Sequence, residues 1–167
     1  MDTIECILTR RSCRSFTSET VAKEDITLLL KCAMQSPSAA DKQSWNFIII
    51  QDRKILDKIP GFQKYGGFVA GAPAGILVCC DSTKNADMWA IDASIAAQTI
   101  LLAAHAIGLG GCWLAVQPFP DFIQGFRELL ALPENIHPHC FVVIGHPAEK
   151  QPVVNRFDEK KIHFDQW

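Results

Sequence analysis

The sequence lacks the marks of several large function classes. No two of its seven cysteines stand in Cys-x-x-Cys spacing, which argues against a zinc ribbon or an iron–sulfur site. No apolar leader follows Met1, where Asp2 and Glu5 stand instead. With an odd cysteine count, the expectation is buried free thiols in a reducing cytoplasm. Basic residues are not in excess, since the net charge is −2 and no basic stripe dominates. That leaves nucleic acid and anionic membrane without an electrostatic footprint. A membrane span of roughly 20 apolar residues is also missing. The longest apolar stretch, 93–113, is interrupted by Ser94, Gln98, Thr99 and His105 and turns at Gly108–Gly111, so it reads as a buried helix of a soluble protein. A dinucleotide-binding turn is absent too. Gly108, Gly110 and Gly111 follow a helix and open a strand, the reverse of that fingerprint. His137-Pro138-His139-Cys140 offers metal-ligating side chains, but no second cluster completes the set that zinc needs.

What is present suits one domain spanning 1–167. Hydrophobic residues make up 49% and charged residues 20%, enough for a sizeable core without disulfides. The surplus of small apolar residues points to a buried subunit interface. Apolar periodicity predicts helices over 2–10, 24–36, 52–59, 87–107 and 122–130. Strands are predicted at 45–50, 74–80, 111–116 and 140–145, and Gly108 sits where a helix C-cap glycine belongs. Interleaved helices and strands predict an α+β sandwich, with helices packed around a central sheet. Residues 155–167 form a polar, aromatic-tipped tail with no core of its own, expected to dock on a partner subunit.

Four segments carry chemistry. Arg10, Arg11, Ser12 and Arg14 bring three guanidinium groups and a hydroxyl to the junction of a helix and an extended segment. Alternation there sends Ser12 and Arg14 to one face. Arginine forks grip phosphate bidentately, although a solvated helix end has the same composition. Pro37, Ser38, Ala39, Asp41 and Gln43 lie between a helix and a strand. Small side chains there admit a flat ligand, and polar ones meet its edge; a plain helix stop with Trp45 as core anchor is the alternative. Trp113, Leu114 and Ala115 follow the glycine turn, and neighbouring Cys112 reads as an inert buried thiol. Arg156 and Lys160 in the tail can add positive charge to an anion site, or belong to a frayed terminus.

The order of these motifs resembles the FMN-dependent nitroreductase family. Arg-Arg-Ser-x-Arg-x-Phe comes first, then Pro-Ser-Ala-Ala-x-x-Gln-x-Trp before a strand. An Ala-rich helix closes on Gly-Leu-Gly-Gly-Cys-Trp, followed by Ile-Gly-His-Pro-Ala-Glu and an Arg-Phe-Asp tail. The likeness runs from Thr9 to Trp167. It implies a mostly antiparallel sheet flanked by helices in an intertwined homodimer, with two FMN molecules between the subunits. It implies that Arg10, Arg11, Ser12, Arg14 and Arg156 hold the cofactor from one subunit and Pro37–Gln43 from the other. Trp113, Leu114 and Ala115 would lie beside the isoalloxazine. NAD(P)H would deliver hydride, and a small organic acceptor such as a nitroaromatic or quinone would take it in a ping-pong cycle needing no protein acid, base or nucleophile. An FMN store or redox sensor without turnover, or a dehalogenase-like member of the fold, would share these residues. The chain departs from the family at Asp41, where asparagine is usual, and at Ser44, where proline is usual.

Overall fold

The computed structural model describes residues 1–167. Nine regular elements are interleaved: α1 (Thr3–Thr9), α2 (Lys23–Ala33), β1 (Trp45–Ile50), α3 (Arg53–Leu56), β2 (Ala74–Asp81), α4 (Trp89–Ala106), β3 (Gly110–Ala115), α5 (Pro120–Leu130) and β4 (Ile136–Gly145). The four strands form one sheet in the order β1-β2-β4-β3, antiparallel at every pairing. This is the α+β architecture expected from the pattern of elements.

One sheet face carries α2 and α4, packed through Leu29, Ala33, Ala96, Ala97 and Ile100 against Ile76, Val78 and Val142. The other is covered by α3, α5 and the turns between β1 and β2, through Leu56, Val69 and Phe126 against Leu77, Phe141 and Val143. A strand covered on both faces loses the usual polar alternation, and β2 is buried from Ala74 to Cys80. Within it Gly75 is forced by packing: a Cβ there would stand 2.1 Å from the Phe141 ring.

Local chemistry sets the element ends. The Asp2 carboxylate caps α1 by accepting from the Ile4 and Glu5 N–H groups. Pro120 opens α5. Arg127 holds that helix to β4 by donating to the carbonyls of Pro133, Glu134 and Ile136. Helix α4 ends as its sequence predicts. Gly108 has φ +86°, the Gly108 N–H donates to His105 O and the Leu109 N–H to Ala104 O. This is the paired closure that satisfies a helix's last carbonyls.

Several predicted boundaries move: α3 stops at Leu56 rather than 59, α4 starts at Trp89 rather than 87, α5 starts at Pro120 rather than 122, and two further shifts have a clear physical cause. Helix α2 stops at Ala33, three residues early, in a turn that leads to Pro37. Strand β4 begins at Ile136, four residues before its predicted start. Proline has no N–H for a central strand, but Pro138 lies where the β2–β4 register slips between Val78 and Cys79, and a bulge tolerates it. No helix is long and apolar enough to cross a membrane.

Candidate functional site

The segment after α1 runs along the outer edge of β3. Ser12 pairs with Gly111 in parallel, and the Cys13 N–H donates to Gly111 O at 2.9 Å. Farther on, Phe16 pairs with Pro147, and the Thr17 N–H donates to His146 O. Alternation then decides the faces. Cys13 points inward and is 1% exposed, while Ser12 is half-buried and Arg14 exposed on the other side. Cys13 fits because Gly110 lies beneath it: a Cβ there would meet Cys13 Cβ and Sγ at 2.8 Å.

This edge gathers positive charge. Burial, then repulsion from Arg11 and Arg156, holds the half-buried Arg10 guanidinium below its usual range. Burial pushes the Cys112 thiol up, against the pull of Arg14, a hydrogen bond with Ser12, and Arg10. Arg10, Ser12 and Arg14 therefore all lie near one buried thiol. The ion pairs of the structure are Arg53–Asp57, His146–Glu19 and Lys161–Asp158. Arg10, Arg11, Arg14 and Arg156 thus have no carboxylate partner, so a phosphate fits the charge that is left over. Arg11 is the least free of them. Its Nη atoms donate to the carbonyls of Leu8, Arg10 and Val154, which ties the tail to the end of α1, and its buried Nε has no partner. Beside it, Cys13, His105, Gly108–Gly110 and the 147–153 segment help line a cavity of about 620 Å³.

Pro37–Gln43 lies elsewhere on the same chain. A short turn at Ala39–Asp41 leads into β1, and Ala40, Asp41 and Gln43 have φ of 50°, 52° and 46°. Non-glycine residues in that region each cost on the order of 1–3 kcal/mol, so the turn needs outside support. Ser38 Oγ accepts the Gln43 N–H at 3.0 Å, and the Gln43 side-chain amide donates to the Asp41 carboxylate at 2.8 Å. The main support is a residue that no sequence motif marks. Asp92, 1% exposed near the start of α4, accepts from the Ala39 N–H at 2.9 Å, the Asn85 amide at 3.2 Å and the Ser44 hydroxyl at 3.4 Å. A lone carboxylate in an apolar helix was a readable signal, because burying one without donors is prohibitive. Which donors it meets was not readable.

The two groups are far apart within one chain. The Ala39 turn is held at Asp92, and Arg10 sits close enough to His105 to depress its basicity, second only to burial there. Positions 92 and 105 are thirteen residues apart on one helix, roughly 20 Å.

Trp113, Leu114 and Ala115 lie on β3, whose other edge pairs with β4. Since Gly111 O turns outward to Cys13, alternation sends the N–H and C=O of Trp113 and Ala115 to the same open edge. Leu114 is buried against Gly66. Ala115 O accepts from Gln63, a fully buried amide that no motif marks either, at 2.7 Å. Gln63 Oε1 in turn accepts the Tyr65 N–H. His137 and His139 face Ser82 and Ser94, and both rings flank Trp89.

Comparison with known proteins puts this geometry in context. The model of the nitroreductase family matches residues 7–89 and 62–146. A protein of Methanothermobacter thermautotrophicus, named provisionally as an NADH dehydrogenase/NAD(P)H nitroreductase, is 43% identical across all of this chain and 88% of its own length. The crystal structure of a Parabacteroides distasonis protein with the same provisional name superposes with a TM-score of 0.97 at 38% identity, covering 99% of this chain and 98% of that one. An FMN-dependent nitroreductase from Clostridium difficile superposes with a TM-score of 0.93 at 34% identity, covering 98% of this chain and 99% of that one.

Proposed function

This chain belongs to the nitroreductase family, and on that premise we propose that it is an FMN-dependent NAD(P)H oxidoreductase acting on a small organic acceptor such as a nitroaromatic or a quinone. The observation that carries the reading is the cluster of Arg10, Arg11, Arg14 and Arg156 at the open edge of β3, with no carboxylate paired to any of them. Arg10 and Arg156, with Ser12, would bind the phosphate of FMN, and Arg14 would place positive charge toward the flavin ring. Arg11 would contribute mainly by fixing the tail, given its three carbonyl partners. The outward N–H groups of Trp113 and Ala115 would meet the polar edge of the ring, and buried Leu114 would keep water from the strand beneath. With FMN bound, such a site supplies transfer of two electrons from a reduced nicotinamide to the acceptor. One opening serving both partners in turn would give ping-pong kinetics. No side chain need act as nucleophile, acid or base.

We take the protein to be a homodimer with shared sites. The roughly 20 Å along α4 between Asp92, which holds the Ala39 turn, and His105, which lies near Arg10, suits two half-sites, each completed by a second copy, with Pro37–Gln43 supplied across the interface. Residues 155–167 would dock on that copy: Phe157, Phe164 and Trp167 are largely exposed on the single chain. Seven free cysteines, six of them buried, suit a reducing compartment, and we place the enzyme in the cytoplasm.

The test begins with colour. The purified protein should be yellow, release FMN on denaturation, and oxidise NADH or NADPH continuously when a quinone is added. Flavin without steady turnover would favour a store or sensor. A colourless protein that takes up no FMN would overturn the reading.

A further inference from the structure

We propose that Asp92 is a positioning residue for FMN binding: its buried carboxylate holds the Ala39–Ser44 turn in the shape in which that turn meets the cofactor. The inference rests on the functional reading above.

Three observations carry it. First, Asp92 spends its carboxylate on this turn and its support. Oδ1 takes the Ala39 N–H, and Oδ2 takes the Ser44 hydroxyl and the Asn85 amide. Asn85 is itself oriented, because its Oδ1 accepts the Met88 N–H. Second, the turn between the two anchored residues is the strained one. Ala40, Asp41 and Gln43 all lie in the left-handed region, which alanine and glutamine adopt only when their surroundings hold them there. Ala39 and Ser44 bracket these residues, so the carboxylate clamps both ends. Third, the clamp is hidden while its load is not. Asp92 and Ser44 are buried, whereas Ala40, Asp41 and Gln43 are exposed and face outward from the fold. A carboxylate placed only to stabilise the core would have no reason to impose strain on an exposed turn.

The experiment measures FMN dissociation from the purified holoprotein by equilibrium dialysis, beside its thermal melt and the visible circular dichroism of the bound flavin. Asp92→Ala removes all three bonds and should weaken FMN roughly ten- to a hundredfold, with an altered flavin dichroism. Adding Ala40→Gly to that variant should recover several-fold of the loss, since glycine takes the left-handed conformation without support. A purely structural carboxylate would show no such rescue. Asp92→Asn can keep the Ala39 bond but meets the Asn85 amide with an amide of its own. It should fold, lose roughly three- to tenfold in affinity, and carry the test if Asp92→Ala does not fold. Unchanged FMN affinity in the folded variants, beside a flavin-binding wild type, overturns this inference alone. A wild type that binds no FMN overturns the functional reading and this inference with it.

Discussion

Arg10 is surrounded by its own charge. Burial and the nearby Arg11 and Arg156 all disfavour its protonated form, so a bound anion relieves a strain that already exists in the free protein. Replacing Arg10 or Arg14 with alanine should therefore weaken FMN binding before it harms the fold. A charge-assisted hydrogen bond is worth about 1.5–3 kcal/mol, which corresponds to roughly a ten- to hundredfold rise in the FMN dissociation constant. Lysine should restore only part, since it keeps the charge and loses the fork. FMN titration beside a thermal melt decides it: unchanged affinity in both alanine variants would remove the phosphate grip from these residues. The buried thiols of β2 set a different expectation. Burial pushes Cys79 up to about 12 and Cys80 up to about 11, from an ordinary value of 9.0. The folded state thus holds these protons more tightly than the unfolded chain. Their contribution is whole below about pH 9 and is lost as pH rises through 11 to 12. The urea midpoint should fall above pH 9, and Cys79→Ala should fall less steeply. Equal slopes in the two proteins would show that the alkaline loss comes from elsewhere.

At the scale of elements, the return from α4 to β3 separates stability from binding. Gly108 caps the helix at positive φ, with nothing near its missing Cβ. Gly108→Ala should cost about 1–2 kcal/mol of conformational strain and leave FMN affinity alone. Gly110 has ordinary backbone but no room, because Cys13 presses on it. Gly110→Ala must push the Cys13 segment off β3, and Arg10, Ser12 and Arg14 move with it. It should cost about 1–3 kcal/mol and also loosen FMN. Urea unfolding of the apoproteins, paired with FMN titration, reads both quantities. Equal effects of the two substitutions on FMN would break the link between the strand edge and the arginines.

The single chain exposes a good deal of apolar surface. Ile4, Ile7 and Leu8 of α1 are more than half exposed, as are Val153 just before the tail and Phe157, Phe164 and Trp167 within it. We expect a dimer that dissociates only with unfolding, with an interface of roughly 2,000–5,000 Å². Sedimentation at micromolar concentration should find no monomer. Deleting residues 155–167 should weaken the dimer and FMN retention together, because Arg156 leaves with the tail. A truncated protein that stays dimeric and yellow would show that the tail serves neither.

How much of this was written in the chain depends on how far apart the interacting groups lie along it. Helix α4 and its glycine cap were legible because apolar periodicity and a C-cap are local. So was the division of Cys13 from Ser12 and Arg14, which needs only the alternation of an extended segment. Strand β4 was half legible: Pro138 hid its start, and only a bulge against β2 explains why proline is tolerated there. The arginine cluster could be read as positive charge, whereas the turning of Arg11 onto the carbonyls of Leu8 and Val154 could not, since the tail comes back to α1 only in the fold. Asp92 stands out in the sequence only as a lone carboxylate in an apolar helix, and Gln63 not at all. Their partners, Ala39 and Ser44 for one and Ala115 for the other, lie dozens of residues away. Local pattern along the chain sets which segments are helix and strand, and composition sets where positive charge collects. Which buried polar groups meet follows from the folded chain, because a hydrogen bond between distant segments depends on how the sheet orders its strands, and that order is a property of packing.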